Sequence, residues 1–203
     1  MEYFYNKNSL EVGIDEAGRG CLAGPVVVGA VILPEDIEEY SFEWNDSKKL
    51  SKKKRESLRE EIEEVALDYS VSYGDNKLID KVNILNATHK TMHDCIKKLN
   101  ITPEYIIVDG NSFKPYFDIN GEIIPHTCII QGDSKYSSIS AASILAKTYH
   151  DDFIEDLLLK EPELKNYGWE KNMCYGTETH LNGIKKYGIS KYHRRTFGIC
   201  KNF

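Results

Sequence analysis

The stretch GIDEAGRGCLAGPVVVGAVIL, residues 13–33, limits the possible folds more than any other part of the chain. Apolar and β-branched residues lie on both sides of three closely spaced glycines, which predicts two β-strands joined by a glycine-rich turn. The acidic pair Asp15 and Glu16 immediately precedes that turn. The pattern therefore predicts a hairpin that carries two carboxylates beside its turn.

Helical and strand patterns alternate along the rest of the chain. Ser51 is suited to cap a helix over residues 52–67, where apolar side chains recur at helical spacing. Further strands are predicted over 67–74, 105–111 and 122–130, and further helices over 83–99, over 138–159 and in a segment that ends at Gly188. This order predicts an α/β fold, a mixed β-sheet flanked by helices with a small helical C-terminal extension.

Composition narrows the class of protein. The 203 residues, 41% of them hydrophobic, suffice for one main core. No apolar run approaches the roughly 20 residues of a membrane span, and the N-terminal residues lack the order of a signal peptide, so we expect a soluble, cytoplasmic protein. Five scattered cysteines without a CxxC pair predict neither a disulfide framework nor a zinc site.

Charge argues against nucleic-acid binding by bulk electrostatics, because the net charge is −6. Two segments are nevertheless basic, residues 46–56 and residues 191–195. Each could form part of a phosphate-binding rim, although charge alone favours an ordinary solvated surface. Any binding of nucleic acid must therefore be local.

Two segments resemble known functional motifs but do not match them. The glycines of GRGCLAG are one residue out of register for dinucleotide binding, and a strand rather than a helix follows them. The pair His89 and His93 has the spacing of zinc proteases, but Lys90 stands where the general-base Glu belongs.

Acidic residues near strand ends are the better candidates. Asp15 and Glu16 lie in the first hairpin, Asp109 ends a buried strand, and Asp133 lies in a polar loop before a helix. Any one of them alone is more often a turn or cap residue than a ligand. Together they would form an oxygen-only site suited to Mg²⁺ or Mn²⁺ rather than zinc. Neighbours on a strand point to opposite faces, so Asp15 and Glu16 can share a site only if the strand ends, twists or bulges there.

Nearly the whole chain resembles the ribonuclease HII family, with the motifs in the family's order. The matching segments are GIDEAGRGCLAGPVV, NDSKKLSKKKRE, IDKVNILNAT, IIVDGN, GDSKYSSISAASILAKTYHD and YGTETHLNGIKKYGISKYHRRTF. The resemblance implies an RNase H-like catalytic domain over residues 1–165 and a helical, substrate-contacting segment over 166–203. It also implies two metal ions, Mg²⁺ or Mn²⁺, held by Asp15, Glu16, Asp109 and Asp133.

The same resemblance implies how substrate is held. The backbone of Gly18, Arg19 and Gly20 would grip a ribose 2′-hydroxyl and the adjacent phosphate, and Tyr175 would pack against the following deoxyribose. Lys48, Lys49, Lys135, Arg194 and Arg195 would hold phosphates of the duplex. Asn83 would contact the nucleic-acid backbone and Ser134 would support the metal-binding loop, although simple turn hydrogen bonding explains both residues equally well.

The implied activity is hydrolysis of the phosphodiester on the 5′ side of a ribonucleotide, giving 3′-hydroxyl and 5′-phosphate ends. RNA–DNA hybrids and duplex DNA with single embedded ribonucleotides are the implied substrates, and the implied role is ribonucleotide excision repair. We expect a monomer, and the ending GICKNF shows no clear clamp-binding pattern.

Some residues differ from the usual family pattern. Cys21 stands in place of Pro, Gln131 in place of Lys, His150 in place of Arg, and Met173-Cys174 in place of Lys-Gly. The second and fourth changes remove positive charge near the expected substrate groove, which predicts weaker phosphate affinity. Arg19 distinguishes the chain from the sister family ribonuclease HIII. A different RNase H-like nuclease, or a non-catalytic binding protein, remains an alternative.

Overall fold

The computed structural model describes residues 1–39 and 51–203, so Lys48 and Lys49 lie outside the described residues. The strands are β1 (Glu11–Ala17), β2 (Val26–Ile32), β3 (Asp68–Gly74), β4 (Tyr105–Asp109), β5 (Tyr116–Phe117), β6 (Ile123–Ile124) and β7 (His126–Ile129). The helices are α1 (Lys52–Val65), α2 (Asn76–Val82), α3 (Ile84–Lys97), α4 (Ser137–Lys160), α5 (Trp169–Asn172) and α6 (Glu178–Tyr187).

Five strands form one mixed sheet in the order β3-β2-β1-β4-β7. The first three strands pair antiparallel, whereas β4 runs parallel to both β1 and β7. The predicted mixed sheet flanked by helices is confirmed, and so is the predicted first hairpin. Ser51 caps α1 as expected, because its hydroxyl accepts a hydrogen bond from the backbone N–H of Lys54 at 3.3 Å.

Helices cover both faces of the sheet. Side chains of α3 pack on one face, in an apolar cluster that includes Ile14 and Val108. The other face is covered by α1 and α4, around Val31 and Leu58. A third apolar cluster, around Trp169, joins the C-terminal elements to the end of α4.

Two glycines let α4 lie unusually close to the sheet. A Cβ added at Gly13 would lie 2.3 Å from the backbone carbon of Ser138. One added at Gly29 would lie 2.4 Å from the carbonyl oxygen of Ala142. The small residues of α4 complete this close contact, which fixes the helix over β1 and β2.

Some elements differ from the sequence prediction. The single strand predicted over 122–130 is wrong, because Pro125 divides it into β6, which pairs with β5 in a small hairpin, and β7, which joins the main sheet. Proline has no N–H to donate and interrupts the ladder there. Helix α2 was not predicted; Asp75 caps it, accepting from the backbone N–H of Leu78 at 2.7 Å.

None of the helices in the described part of the chain is both long and apolar enough to span a membrane.

Candidate active site

Asp15 and Asp109 lie side by side at the end of adjacent strands. The last β1–β4 pair joins Ile14 to Val108, so the next residue on each strand is one of the two acids. Because Ile14 and Val108 face α3, their neighbours Asp15 and Asp109 face α4. Asp15 is only 3% exposed.

Glu16 reaches the same region from the other face of the sheet. Strand β1 continues without a break to Ala17, so the two neighbouring acids point to opposite faces, as the strand period requires. However, β4 ends at Asp109 and no longer separates the faces beyond that point. Glu16 therefore borders a small cleft with Asp109 and also a larger cavity with Ser143 of α4.

Asp133 lies in a short 3-10 turn (Gly132–Ser134) and is 7% exposed. The preceding residue connects this turn to the acids, because the backbone N–H of Gly132 donates to Oδ1 of Asp109 at 2.7 Å. The turn thus lies directly beside the end of β4. Asp133 therefore lies in a turn that is hydrogen-bonded directly to Asp109.

The acids repel one another. Burial, followed by the charges of Glu16 and Asp109, raises the pKa of Asp15 well above its usual range, although a hydrogen bond from Ser143 partly opposes this. A group of buried carboxylates with this property is stabilised by a cation. Its oxygen-only donors suit a hard divalent ion such as Mg²⁺ or Mn²⁺.

The carboxylates are not gathered into a closed metal site. Across residues 1–39 and 51–203, no three His, Cys, Asp or Glu side chains are grouped so that they could hold an ion together. Glu16 instead pairs with Arg19 at 3.0 Å, and Asp15 accepts from the N–H of Glu16 at 2.7 Å. Because an ionised carboxylate has two oxygens and about four lone-pair sites, it can keep such a partner and still bind an ion.

Residues 18–20, which we call the glycine segment, form one wall of a cavity of about 480 Å³ next to the acids. The residues that border it are Glu16, Ala17, Gly18, Arg19, Gly20, Ser143, Lys147 and Tyr175. Gly18 has a φ of +83°, and a Cβ there would lie 2.7 Å from the ring of His150. At Gly20 a Cβ would meet only the Tyr175 ring, at 3.7 Å. Glycine is thus required by the fold at the first position and not at the second.

Tyr175 also borders this cavity, next to Gly20. Its side chain is 40% exposed, and Nζ of Lys147 lies 5.8 Å from the centre of its ring. Burial of the hydroxyl end raises the pKa of Tyr175 to about 12. The residue therefore presents a neutral aromatic ring to the cavity.

Three predicted contact residues have structural hydrogen bonds of their own. Asn83 caps α3 by accepting from the N–H of Asn86 at 3.0 Å. Ser134 donates to the carbonyl of Gln131 at 2.9 Å, and Lys135 to that of Ile130 at 2.8 Å. All three are exposed, so these bonds leave untested the predicted substrate contacts of Asn83 and Lys135 and the predicted support of the metal-binding loop by Ser134.

The prediction that Arg194 binds phosphate is wrong. The residue is 0% exposed, and its guanidinium donates to the backbone carbonyls of Gly18, Arg19, Gly24 and Pro25. A buried side chain with these partners cannot reach a duplex. The charge pattern of the sequence could not reveal this, because it does not distinguish a buried arginine from an exposed one such as its neighbour Arg195.

Sequence reasoning also missed Ser143 and Lys147. They lie four residues apart on α4, so both face the cavity from the same side of the helix. A polar pair at this spacing within the small and apolar residues of SISAASILAK was the available signal.

A buried pair of histidines, His180 and His193, lies next to the backbone of Tyr175. The carbonyl oxygen of Tyr175 accepts from Nδ1 of His180 at 3.0 Å, and Nε2 of His180 accepts from the indole N–H of Trp169 at 3.0 Å. Nε2 of His193 lies 3.1 Å from that same nitrogen, and Nδ1 of His193 accepts from the N–H of Ser190. These contacts assign a neutral state to both imidazoles.

This pair predicts loss of stability in acid. Burial, then the nearby His180, lowers the pKa of His193 to about 3, so below pH 6.5 the unfolded chain binds a proton that the folded protein does not. Stability from this residue is complete above about pH 6.5 and is lost as the pH falls toward 3. Between pH 7 and pH 5 the free energy of unfolding should fall by about 2 kcal/mol more in the wild type than in His193→Asn. Urea titrations at both pH values would measure it, and equal falls would contradict the assignment.

The family model described as Ribonuclease HII matches residues 12–200. The chain belongs to the ribonuclease HII family. It is therefore an endoribonuclease of the RNase H type. The ribonuclease HII of Christiangramia forsetii is 52% identical over 199 residues, which cover 98% of this chain and 96% of that protein.

Solved ribonucleases of this class have the same fold. The ribonuclease H2 of Pyrococcus horikoshii OT3 is similar with a TM-score of 0.78 and 28% identity, over 95% of each chain. A ribonuclease HII from Archaeoglobus fulgidus, solved in complex with PCNA, is similar with a TM-score of 0.76 and 26% identity, over 94% of this chain and 96% of that one.

Four of the residues that differ from the usual ribonuclease HII pattern, all except Gln131, are neighbours here. Sγ of Cys21 lies 3.8 Å from Nε2 of His150 and donates to the carbonyl oxygen of Met173 at 3.4 Å. Cys174 is buried in the same apolar cluster as Cys21. Its φ of +69° is a conformation that suits the glycine expected there. These four residues therefore form one contiguous patch behind the glycine segment.

Proposed function

We propose that this protein hydrolyses the phosphodiester on the 5′ side of ribonucleotides, in RNA–DNA hybrids and at single ribonucleotides in duplex DNA. The products would be a 3′-hydroxyl and a 5′-phosphate. One observation carries the proposal: Glu16 borders the same cavity as the glycine segment and Tyr175, and it also borders the cleft that Asp109 lines. Chemistry and recognition of the sugar can therefore take place on adjacent atoms of one substrate.

The acids supply the metal-binding part of the mechanism. Asp15 and Asp109, side by side on adjacent strands, would hold one divalent ion, and Glu16 or Asp133 would help to hold a second. Such ions, when bound, supply an activated water and stabilise the leaving 3′-oxygen. Ser143 orients Asp15 through its hydrogen bond, and the N–H of Gly132 orients Asp109.

The glycine segment supplies selectivity for ribose. A 2′-hydroxyl both donates and accepts a hydrogen bond, so backbone groups can read it if no Cβ intervenes. Gly20 leaves this approach open, and the half-exposed Arg19 can move from Glu16 to a phosphate. The ring of Tyr175 would pack against a sugar that lacks the 2′-hydroxyl.

The remaining contacts position the duplex without reading its bases. Lys135 and Arg195 are exposed and cationic, and we propose that they bind phosphates, together with Lys48, Lys49 and the side-chain amide of Asn83. Residues 166–203 would provide the substrate-contacting segment that contains Tyr175. A monomer that removes ribonucleotides from DNA in the cytoplasm is the simplest cellular role.

A single-ribonucleotide duplex tests the proposal. Wild-type protein with Mg²⁺ or Mn²⁺ should cut a labelled strand once, on the 5′ side of the ribonucleotide, and chelation should stop it. Gly20→Ala should keep the wild-type melting temperature, because its methyl group meets only an ordinary contact, but should lower kcat/KM by about 100-fold by obstructing the sugar. Equal cutting of an all-DNA duplex would instead indicate a general nuclease.

A further inference from the structure

Arg194 is a buried cation joined to the glycine segment. Nη2 donates to the carbonyl oxygens of Gly18 at 2.8 Å and Pro25 at 2.9 Å, Nη1 to that of Arg19 at 2.9 Å, and Nε to that of Gly24 at 3.0 Å. These acceptors lie at both ends of the loop that connects β1 to β2. The Arg194 side chain therefore joins the two ends of this loop through hydrogen bonds.

This arrangement is costly for stability. Burying a guanidinium requires several kcal/mol unless its hydrogen bonds are satisfied. Among the described residues, the acceptors of Arg194 are backbone carbonyls rather than carboxylates. A hydrophobic side chain would fill this space at a lower desolvation cost. What arginine provides instead is a planar guanidinium, whose N–H groups hold several carbonyl oxygens in fixed positions.

We propose that Arg194 is a positioning residue that fixes the backbone of Gly18 and Arg19 in the conformation that binds the ribose 2′-hydroxyl. This inference rests on the proposed function, because it assigns a role within the same site. The carbonyls of Gly18 and Arg19 face Arg194. With both carbonyls fixed inward, the peptide planes that follow them have defined orientations toward the substrate cavity. Lysine has no planar fork and cannot hold carbonyls at both ends of the loop in one geometry.

Two readouts on Arg194→Lys and Arg194→Gln test the proposal, with Arg59→Lys as control. Arg59 is a partly buried arginine that pairs with Glu63 and Asp152, away from the cavity. The first readout needs no activity: trypsin cuts after Arg19, whose carbonyl Arg194 holds, so mass spectrometry can follow cleavage of the Arg19–Gly20 bond in folded protein. The second readout is kcat and KM on the single-ribonucleotide duplex.

In both Arg194 variants, trypsin cleavage at Arg19–Gly20 should be at least about tenfold faster than in wild type. On the duplex, kcat should fall by about 100-fold while KM changes little, because a displaced loop misplaces the reacting sugar without removing phosphate contacts. Arg194→Lys should recover little activity, whereas Arg59→Lys should match the wild type in both readouts.

Wild-type kinetics and wild-type trypsin resistance in either folded variant would overturn the proposal. Rapid cleavage at Arg19–Gly20 in the folded wild type would also overturn it, whether or not the variants fold. If the wild type cut no ribonucleotide duplex, the proposed function would fail, but the trypsin readout would still report whether Arg194 holds the loop.

Discussion

Cleavage of a ribonucleotide-containing duplex should fall by about 1,000-fold when Asp109 is changed to asparagine. Loss of one carboxylate from the proposed divalent-ion site should remove about 4 kcal/mol of transition-state stabilisation. Asparagine is the informative replacement, because its Oδ1 can still accept the 2.7 Å hydrogen bond from Gly132. The change therefore removes charge and keeps the local geometry.

Binding and stability should respond differently from activity. The charge of Asp109 contributes to the raised pKa of Asp15, so its removal relieves repulsion and should leave the melting temperature unchanged or higher. Duplex affinity without divalent ions should stay within about threefold of wild type. Asp94→Asn, which removes one charge from the exposed side of α3, should retain full activity. Retained turnover in Asp109→Asn would exclude the metal role of this residue.

Gly13→Ala should lower the free energy of unfolding by about 3 kcal/mol or more. The added methyl group would lie 2.3 Å from the backbone of Ser138, and a helix backbone cannot move aside as a side chain can. Helix α4 would have to shift away from β1, which also carries Asp15. Activity at temperatures where the variant stays folded should therefore fall as well.

Gly20→Ala is the matched comparison for stability. The chemical change is the same, but the new methyl group meets only the edge of Tyr175, at 3.7 Å. Urea titration of both variants should give a large loss for Gly13→Ala and a change within about 0.5 kcal/mol for Gly20→Ala. Similar stability of the two variants would show that α4 can move away from the sheet.

Local patterns predicted most of the fold. The periods of apolar residues indicated β1 to β4 and helices α1, α3 and α4, and the capping residue Ser51 placed the start of α1 correctly. One predicted strand was divided at Pro125, and its two halves pair with different partners, β5 and β4, because strand pairing depends on neighbours that are distant in sequence. The close approach of α4 at Gly13 was not predicted, because nothing in the local sequence specifies which backbone a glycine will meet.

The candidate site was only partly accessible to sequence reasoning. Acids at strand ends could be recognised individually, and the family resemblance grouped Asp15, Glu16, Asp109 and Asp133 into one site. The structure places Asp15 beside Asp109 and explains how Glu16 reaches them, which strand periodicity alone left open. Arg194 was misassigned because a basic cluster in sequence carries no information about burial.

The hydrogen bond between Arg194 and Gly18 joins residues that lie 176 positions apart in the chain. During synthesis the acids and glycines leave the ribosome early, whereas the side chain that fixes the loop leaves much later. A nascent chain that has already formed β1, β2 and their partners would still have a loose cavity wall. The proposed selectivity for ribose would then be acquired at a late step of folding, after the sheet itself has formed.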